Sequence, residues 1–179
     1  MITFGAFHFL ALAVLLTAAV FTDLRERRIP NAVTIPGLVA GVILAAVAAG
    51  GFPGSALGGV IVAFLVTVPF VALGGLGGGD AKLLTAVGAF VGIGGLLSVL
   101  LYGALAGGVL ALANAIRRGA ILGVLMNTKS LIVYLVTFGR HGERIALDSP
   151  GAESVPYGLA IAAGALAAWF FPLSLGGPP

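Results

Sequence analysis

Carboxylic acids are the main chemical resource of this sequence, which contains six Asp and Glu residues, two histidines and no cysteine. Without cysteine there is no thiol nucleophile, disulfide or thiolate zinc site. His8 falls in an apolar run and His141 stands beside Arg140 and Arg144, so no set of metal ligands stands out. Four of the acids have ordinary settings: Glu26 lies among arginines, and Glu143, Asp148 and Glu153 lie in a long polar segment. Asp23 and Asp80 differ. Asp23 directly follows an apolar run, in Phe21-Thr22-Asp23-Leu24, and Asp80 opens another after Gly77-Gly78-Gly79.

Two carboxyls that meet in a low-dielectric site cannot both ionise easily, so one stays protonated while the other stays charged. One residue type thereby supplies a general base and a general acid. The base takes a proton from water, the water attacks a peptide carbonyl, and the acid donates a hydrogen bond to the carbonyl oxygen. The roles exchange as the amine leaves. Such a pair titrates as a unit. Each acid also has a simpler reading. Asp23 at a helix end would pair with Arg25 or Arg27, and Asp80 would cap the N-terminus of the following helix. The three glycines before Asp80 weigh against a mere cap, because they allow close backbone approach that a cap does not need.

The elements that position these acids are membrane spans. Hydrophobic residues make up 60% of the 179 positions and charged residues only 8%, against roughly a quarter charged in a soluble domain. Mean hydropathy is +1.18. A soluble domain of this size could not hide so much apolar surface, which excludes a cytosolic enzyme, a nucleic-acid-binding protein and a disordered chain. The pI of about 9.8 rests on nine basic residues against six acidic ones, and in a membrane protein basic residues set orientation. Apolar runs predict spans over 4–21, 33–49, 56–73, 80 or 81 to about 92, 96–116 and 156–171. Together they form a single membrane domain over 1–179.

With the N-terminus outside, all nine Lys and Arg residues fall on the cytoplasmic side: Arg25, Arg27 and Arg28; Lys82; then Arg117, Arg118, Lys129, Arg140 and Arg144. The fold expected is an all-α polytopic membrane protein of about six transmembrane helices with both termini outside. Residues 120–138 are apolar but carry Asn127, Thr128 and Lys129 at their middle, and a central Lys is costly in a bilayer. They read as a cytoplasmic interfacial helix between spans five and six. Both acids then lie near the cytoplasmic face. Small residues at four-residue spacing, Gly37 and Gly41, Gly88 and Gly92, Gly103 and Gly107, suit close helix packing in lipid.

Three stretches resemble the type IV prepilin peptidases, a family of intramembrane aspartyl proteases. Asp23-Leu24-Arg25-Glu26-Arg27-Arg28-Ile29-Pro30-Asn31 is similar to the family's first aspartate with its Arg-x-Ile-Pro-Asn signature. Gly77-Gly78-Gly79-Asp80-Ala81-Lys82-Leu83 matches the Gly-x-Gly-Asp motif with its trailing Ala-Lys-Leu. Pro156-Tyr157-Gly158 resembles the element opening the final helix. The resemblance implies that Asp23 and Asp80 are the catalytic pair. The substrates it implies are prepilins or pseudopilins of type IV pilus and secretion systems. The cut falls after a glycine, between a basic leader and a hydrophobic segment, at the cytoplasmic face of the inner (plasma) membrane.

Gly77, Gly79, Lys82, Pro30, Asn31, Pro156, Tyr157 and Gly158 are the motif positions expected near substrate. Lys82 reads as an interfacial snorkelling residue, Asn31 as a cap of span two, and Tyr157 as a site hydrogen-bond donor or an interfacial aromatic. Glu143, Asp148 and Glu153 are candidates for the leader's charges. Full-length members carry a cytoplasmic domain with paired cysteines, associated with zinc and N-methylation. This chain has no cysteine, so no methyltransferase activity is expected, nor any metal or other cofactor. Leu159 departs from the second proline of many members. The short form resembles the peptidases of tight-adherence (Flp-type) pili. Partners are the prepilin and the bilayer, with no nucleic acid. Two other readings compete: a proton-coupled small transporter, and a non-catalytic pilus or secretion assembly subunit.

Overall fold

The structure is a computed structural model that describes residues 2–72, 74–117, 119 and 157–173. Five helices account for nearly all of them: α1 (Ile2–Glu26), α2 (Asn31–Ala49), α3 (Gly54–Ala72), α4 (Gly78–Arg117) and α5 (Tyr157–Phe170). The first four are long and apolar enough to cross a bilayer, and α5 is a shorter apolar helix of 14 residues. The expectation of an all-helical membrane protein holds at that level. Residues 120–138, Pro156, His141, Glu143, Asp148 and Glu153 lie outside the described residues.

Packing is inside-out relative to a soluble bundle. Leu10, Val14, Phe64, Leu105 and Val109 face outward, while alanines such as Ala19, Ala63, Ala86 and Ala165 are buried. Without a hydrophobic drive between helices in lipid, close backbone approach has to supply the packing. A Cβ on Gly59 of α3 would strike the Gly88 carbonyl of α4, and one on Gly164 of α5 would lie 2.5 Å from the Gly103 nitrogen. Gly37 sits against Leu15, and Gly41 against Ala89 and Phe90. Each glycine of the three spaced pairs is therefore at a helix contact, and their partners Gly59 and Gly164 each have a small residue four positions to either side.

The boundary expected at about residue 92 between spans four and five falls inside α4. Spans four and five form one helical run of 40 residues, broken at Gly92 (φ 65, ψ −178), a conformation open essentially to glycine alone. The second arm runs back beside the first. In the first arm Phe90 neighbours His8, whereas in the second Gly107 neighbours Tyr157, whose successor Gly158 bonds Asp23 at the other end of α1. The break strips the last carbonyls of the first arm of their helical donors, and His8 Nε2 donates to the Phe90 carbonyl at 2.9 Å. Trp169 of α5 stacks on the His8 ring at 6.0 Å, closing that end of the bundle.

Helix boundaries correct three local expectations. α1 continues to Glu26, so Asp23 sits in its last turns rather than after it. α4 starts at Gly78, so Asp80 is its third residue and not its cap. The residue preceding α2 is Pro30 in extended conformation (φ −74, ψ 153), which leaves Asn31 as the first helical residue instead of the cap. A proline ring fixes φ near that value and so restricts where the helix can begin.

Candidate active site

Asp23 hangs from the end of α1, and the chain turns sharply just beyond it. The Arg27 N–H donates to the Asp23 carbonyl at 2.8 Å, and Arg27 adopts a left-handed φ of 50. This is the helix-ending bond usually made with glycine at the turning position. Placing arginine there stores strain, a feature that clusters at functional sites. The turn carries residues 27–30 across the end of the bundle and on into α2.

Asp80 stands in the first turn of α4. Its carboxylate lies against the Gly77 backbone, at the helix start where N–H donors are left free. The Gly-x-Gly-Asp spacing has a steric reason at each position. A Cβ on Gly77 would lie 2.7 Å from Asp80 Oδ2, and one on Gly79 would lie 3.2 Å from the Ile29 backbone. A Cβ on Gly78, the variable position, would meet nothing within 4 Å.

The third motif supplies a bond to the first acid. The Gly158 N–H, in the first turn of α5, donates to Asp23 Oδ2 at 3.0 Å. A Cβ on Gly158 would lie 2.7 Å from the same oxygen. Tyr157 is partly exposed and packs toward Gly107. Lys82 Nζ donates to Asn31 Oδ1 at 2.8 Å, so its described partner is the start of α2 and not Asp80. Nothing in the sequence pointed to that link, because its two ends sit in different motifs.

Asp23, Asp80, Gly77, Gly79, Lys82, Pro30 and Asn31 all line one cavity of about 610 Å³. Glu26, Arg27, Arg28, Ile29 and Gly78 complete its wall. Asp23 is buried and Asp80 is partly so. The two acids are near enough that the charge of Asp23 acts on Asp80. Arg27 is near enough for its charge to act on Asp23. Glu26 is exposed and stands at the edge of that wall. Among the described residues, no group of three His, Asp or Glu side chains is placed to hold a metal ion.

Two carboxyls facing one polar cavity can hold a water between them and pass protons to and from it. A model of the type IV leader peptidase family matches residues 10–112, more than half of the 179 positions. The match takes in both acids and ends before α5. No curated protein and no solved structure matches the chain. With its two acid-bearing motifs inside the matched region, the chain belongs to the type IV leader peptidase family.

Proposed function

We propose that this protein is an intramembrane aspartic endopeptidase that removes the leader peptide of prepilins or pseudopilins at the cytoplasmic face of the inner membrane. Asp23 and Asp80 are the catalytic residues. The observation that carries the reading is the single cavity lined by both acids, one from α1 and one from α4. Sharing one proton, the pair activates water with its charged member and hydrogen-bonds the scissile carbonyl with its neutral one. The Gly158 N–H group holds one oxygen of the Asp23 carboxylate, which fixes that acid without consuming both its oxygens. The absence of cysteine supports peptidase action without N-methylation of the new terminus.

Six crossings follow from counting α1, α2, α3, the two arms of α4, and α5, with both termini outside. Arg25, Arg27, Arg28, Lys82 and Arg117 then share the cytoplasmic side with the acids, as positive-inside bias requires. The transporter and assembly readings lack a favouring observation, since the acids stand in the end turns of their helices rather than mid-span.

The test is leader removal from a cognate prepilin by wild-type protein, Asp23→Asn and Asp80→Asn in membranes. Each variant keeps the size of the side chain and removes the acid. Cleavage should fall at least ~100-fold in both while the proteins insert normally. Efficient cutting by either variant refutes the paired-acid mechanism.

A further inference from the structure

A second cavity, of about 510 Å³, lies between α2, α3 and the first arm of α4. Asn31, Gly78 and Lys82 line both this cavity and the acid-lined one, so the two adjoin across the Lys82–Asn31 hydrogen bond. Its walls are apolar, and Ile35, Phe64 and Val68 on its rim are 54%, 57% and 42% exposed. It is therefore a groove opening sideways, where lipid would lie. It follows α2 from Asn31 to Leu38 and α3 from Ala72 to Phe64. At 1.5 Å per residue that is roughly 10–12 Å, or about two turns of helix.

Three hydroxyls interrupt the apolar wall. Those of Thr67 and Thr85 donate to carbonyls of their own helices, each at 2.8 Å. The hydroxyl of Thr34 is buried and has no hydrogen-bond partner among the described residues. Such groups are rare in native proteins. Thr34 lies one turn along α2 from Asn31, at the end of the groove next to the acids.

We propose that this groove seats the apolar segment of the substrate immediately after the scissile bond, as about two turns of helix, with the Thr34 hydroxyl accepting a hydrogen bond from a backbone N–H of its first turn. The chemistry of a cut beside a membrane segment requires this change of form. The scissile peptide must be extended for water to reach its carbonyl, and the helix beginning just beyond it has first-turn N–H groups with no partner of their own. A lone buried acceptor at the cleft end of an apolar groove matches that need. The inference rests on the peptidase reading, and it makes the first seven or so residues after the cut a determinant of specificity.

A photo-crosslinking experiment tests it. A benzophenone side chain is introduced at Val68, or at Val14 on the exposed face of α1 as control, in the full chain carrying Asp80→Asn. Each is irradiated in membranes with a cognate prepilin. The proposal requires an adduct from position 68 to the first seven or so residues after the cleavage site, at least about fivefold above position 14. Equal adducts at both positions overturn it, as do adducts from position 68 to lipid only. An adduct to residues 120–156 of the same chain assigns the groove to that segment and also overturns it. The adduct forms whether or not Asp80 is catalytic, so residual cutting in this background counts against the mechanism and not against docking. In the otherwise native protein, Thr34→Val should raise KM about 5–10-fold, the worth of one hydrogen bond, with kcat unchanged within about twofold. An unchanged KM overturns the Thr34 contact.

Discussion

Residue 158 has room for a hydrogen and nothing larger beside the Asp23 carboxylate. The α5 backbone comes so close that a methyl group there would contact Asp23 Oδ2, Cβ and Cγ, at 2.7, 3.2 and 3.2 Å. Gly158→Ala should thus displace the acid rather than unfold the bundle. A displacement of about 1 Å at reacting groups can cost 10²-fold. The expected outcome is a fall in kcat/KM of about 10–100-fold with membrane insertion and thermal stability near wild type, measured by leader removal and by a melting curve in detergent. A fall no larger than about twofold would show that Asp23 tolerates the shift. At this scale the sequence singles out the acids but not their neighbours. Asp23 and Asp80 stand out because a carboxylate at the edge of an apolar run needs a reason. The bond from Gly158 and the link between Lys82 and Asn31 depend on α5 and α2 arriving at particular places, which no local pattern encodes.

Among elements, α4 shows how glycines divide an apolar stretch. Glycines at 92, 94 and 95 predict two spans with a turn after about residue 92, and the break is at Gly92. Gly92 turns because its φ is 65 and its α-hydrogen faces the Ser55 hydroxyl. A Cβ on Gly94 would meet nothing within 4 Å. Alanine at the two positions should therefore have opposite effects. Gly92→Ala should destabilise by about 1–3 kcal/mol, the cost of holding a side chain in a sparsely populated backbone region. Gly94→Ala should be neutral or stabilise by up to ~1 kcal/mol, because alanine is the better helix former. Chemical denaturation in a fixed detergent measures both, and a loss of equal size at the two sites would contradict the assignment of the break. α2 shows the easier case. Its end at Gly50, with Gly50 and Gly51 N–H groups bonded to the Val47 and Ala46 carbonyls, is a glycine stop that the Gly50-Gly51 pair announces.

Across the whole molecule, composition carried the fold class. A chain with so few charges has to place them, and their grouping at the ends of apolar runs outlines the helices. The inside-out packing was legible only in part. Spaced glycines flagged α2 and α4, but the close approaches at Gly59 and Gly164 are settled by pairing between helices. A larger side chain there should be felt throughout the bundle: Gly164→Val should lower stability by about 1–3 kcal/mol or more, as over-packing does, read by the same denaturation assay. An unchanged midpoint would mean that α5 can retreat from the second arm of α4 at little cost.

Under the proposed mechanism, the hydrogen bond between the first helix and α5 makes activity depend on the order of synthesis. Ribosomes deliver α1 to the bilayer first, and the donor that steadies its acid belongs to a helix made more than a hundred residues later. A nascent chain halted before Tyr157 would carry both acids but lack that brace. Such truncated chains should integrate into the membrane and cut nothing, and supplying the missing helix as a separate polypeptide should restore activity. On this view the protease is safe to synthesise among the very precursors it cuts, because its own completion arms it.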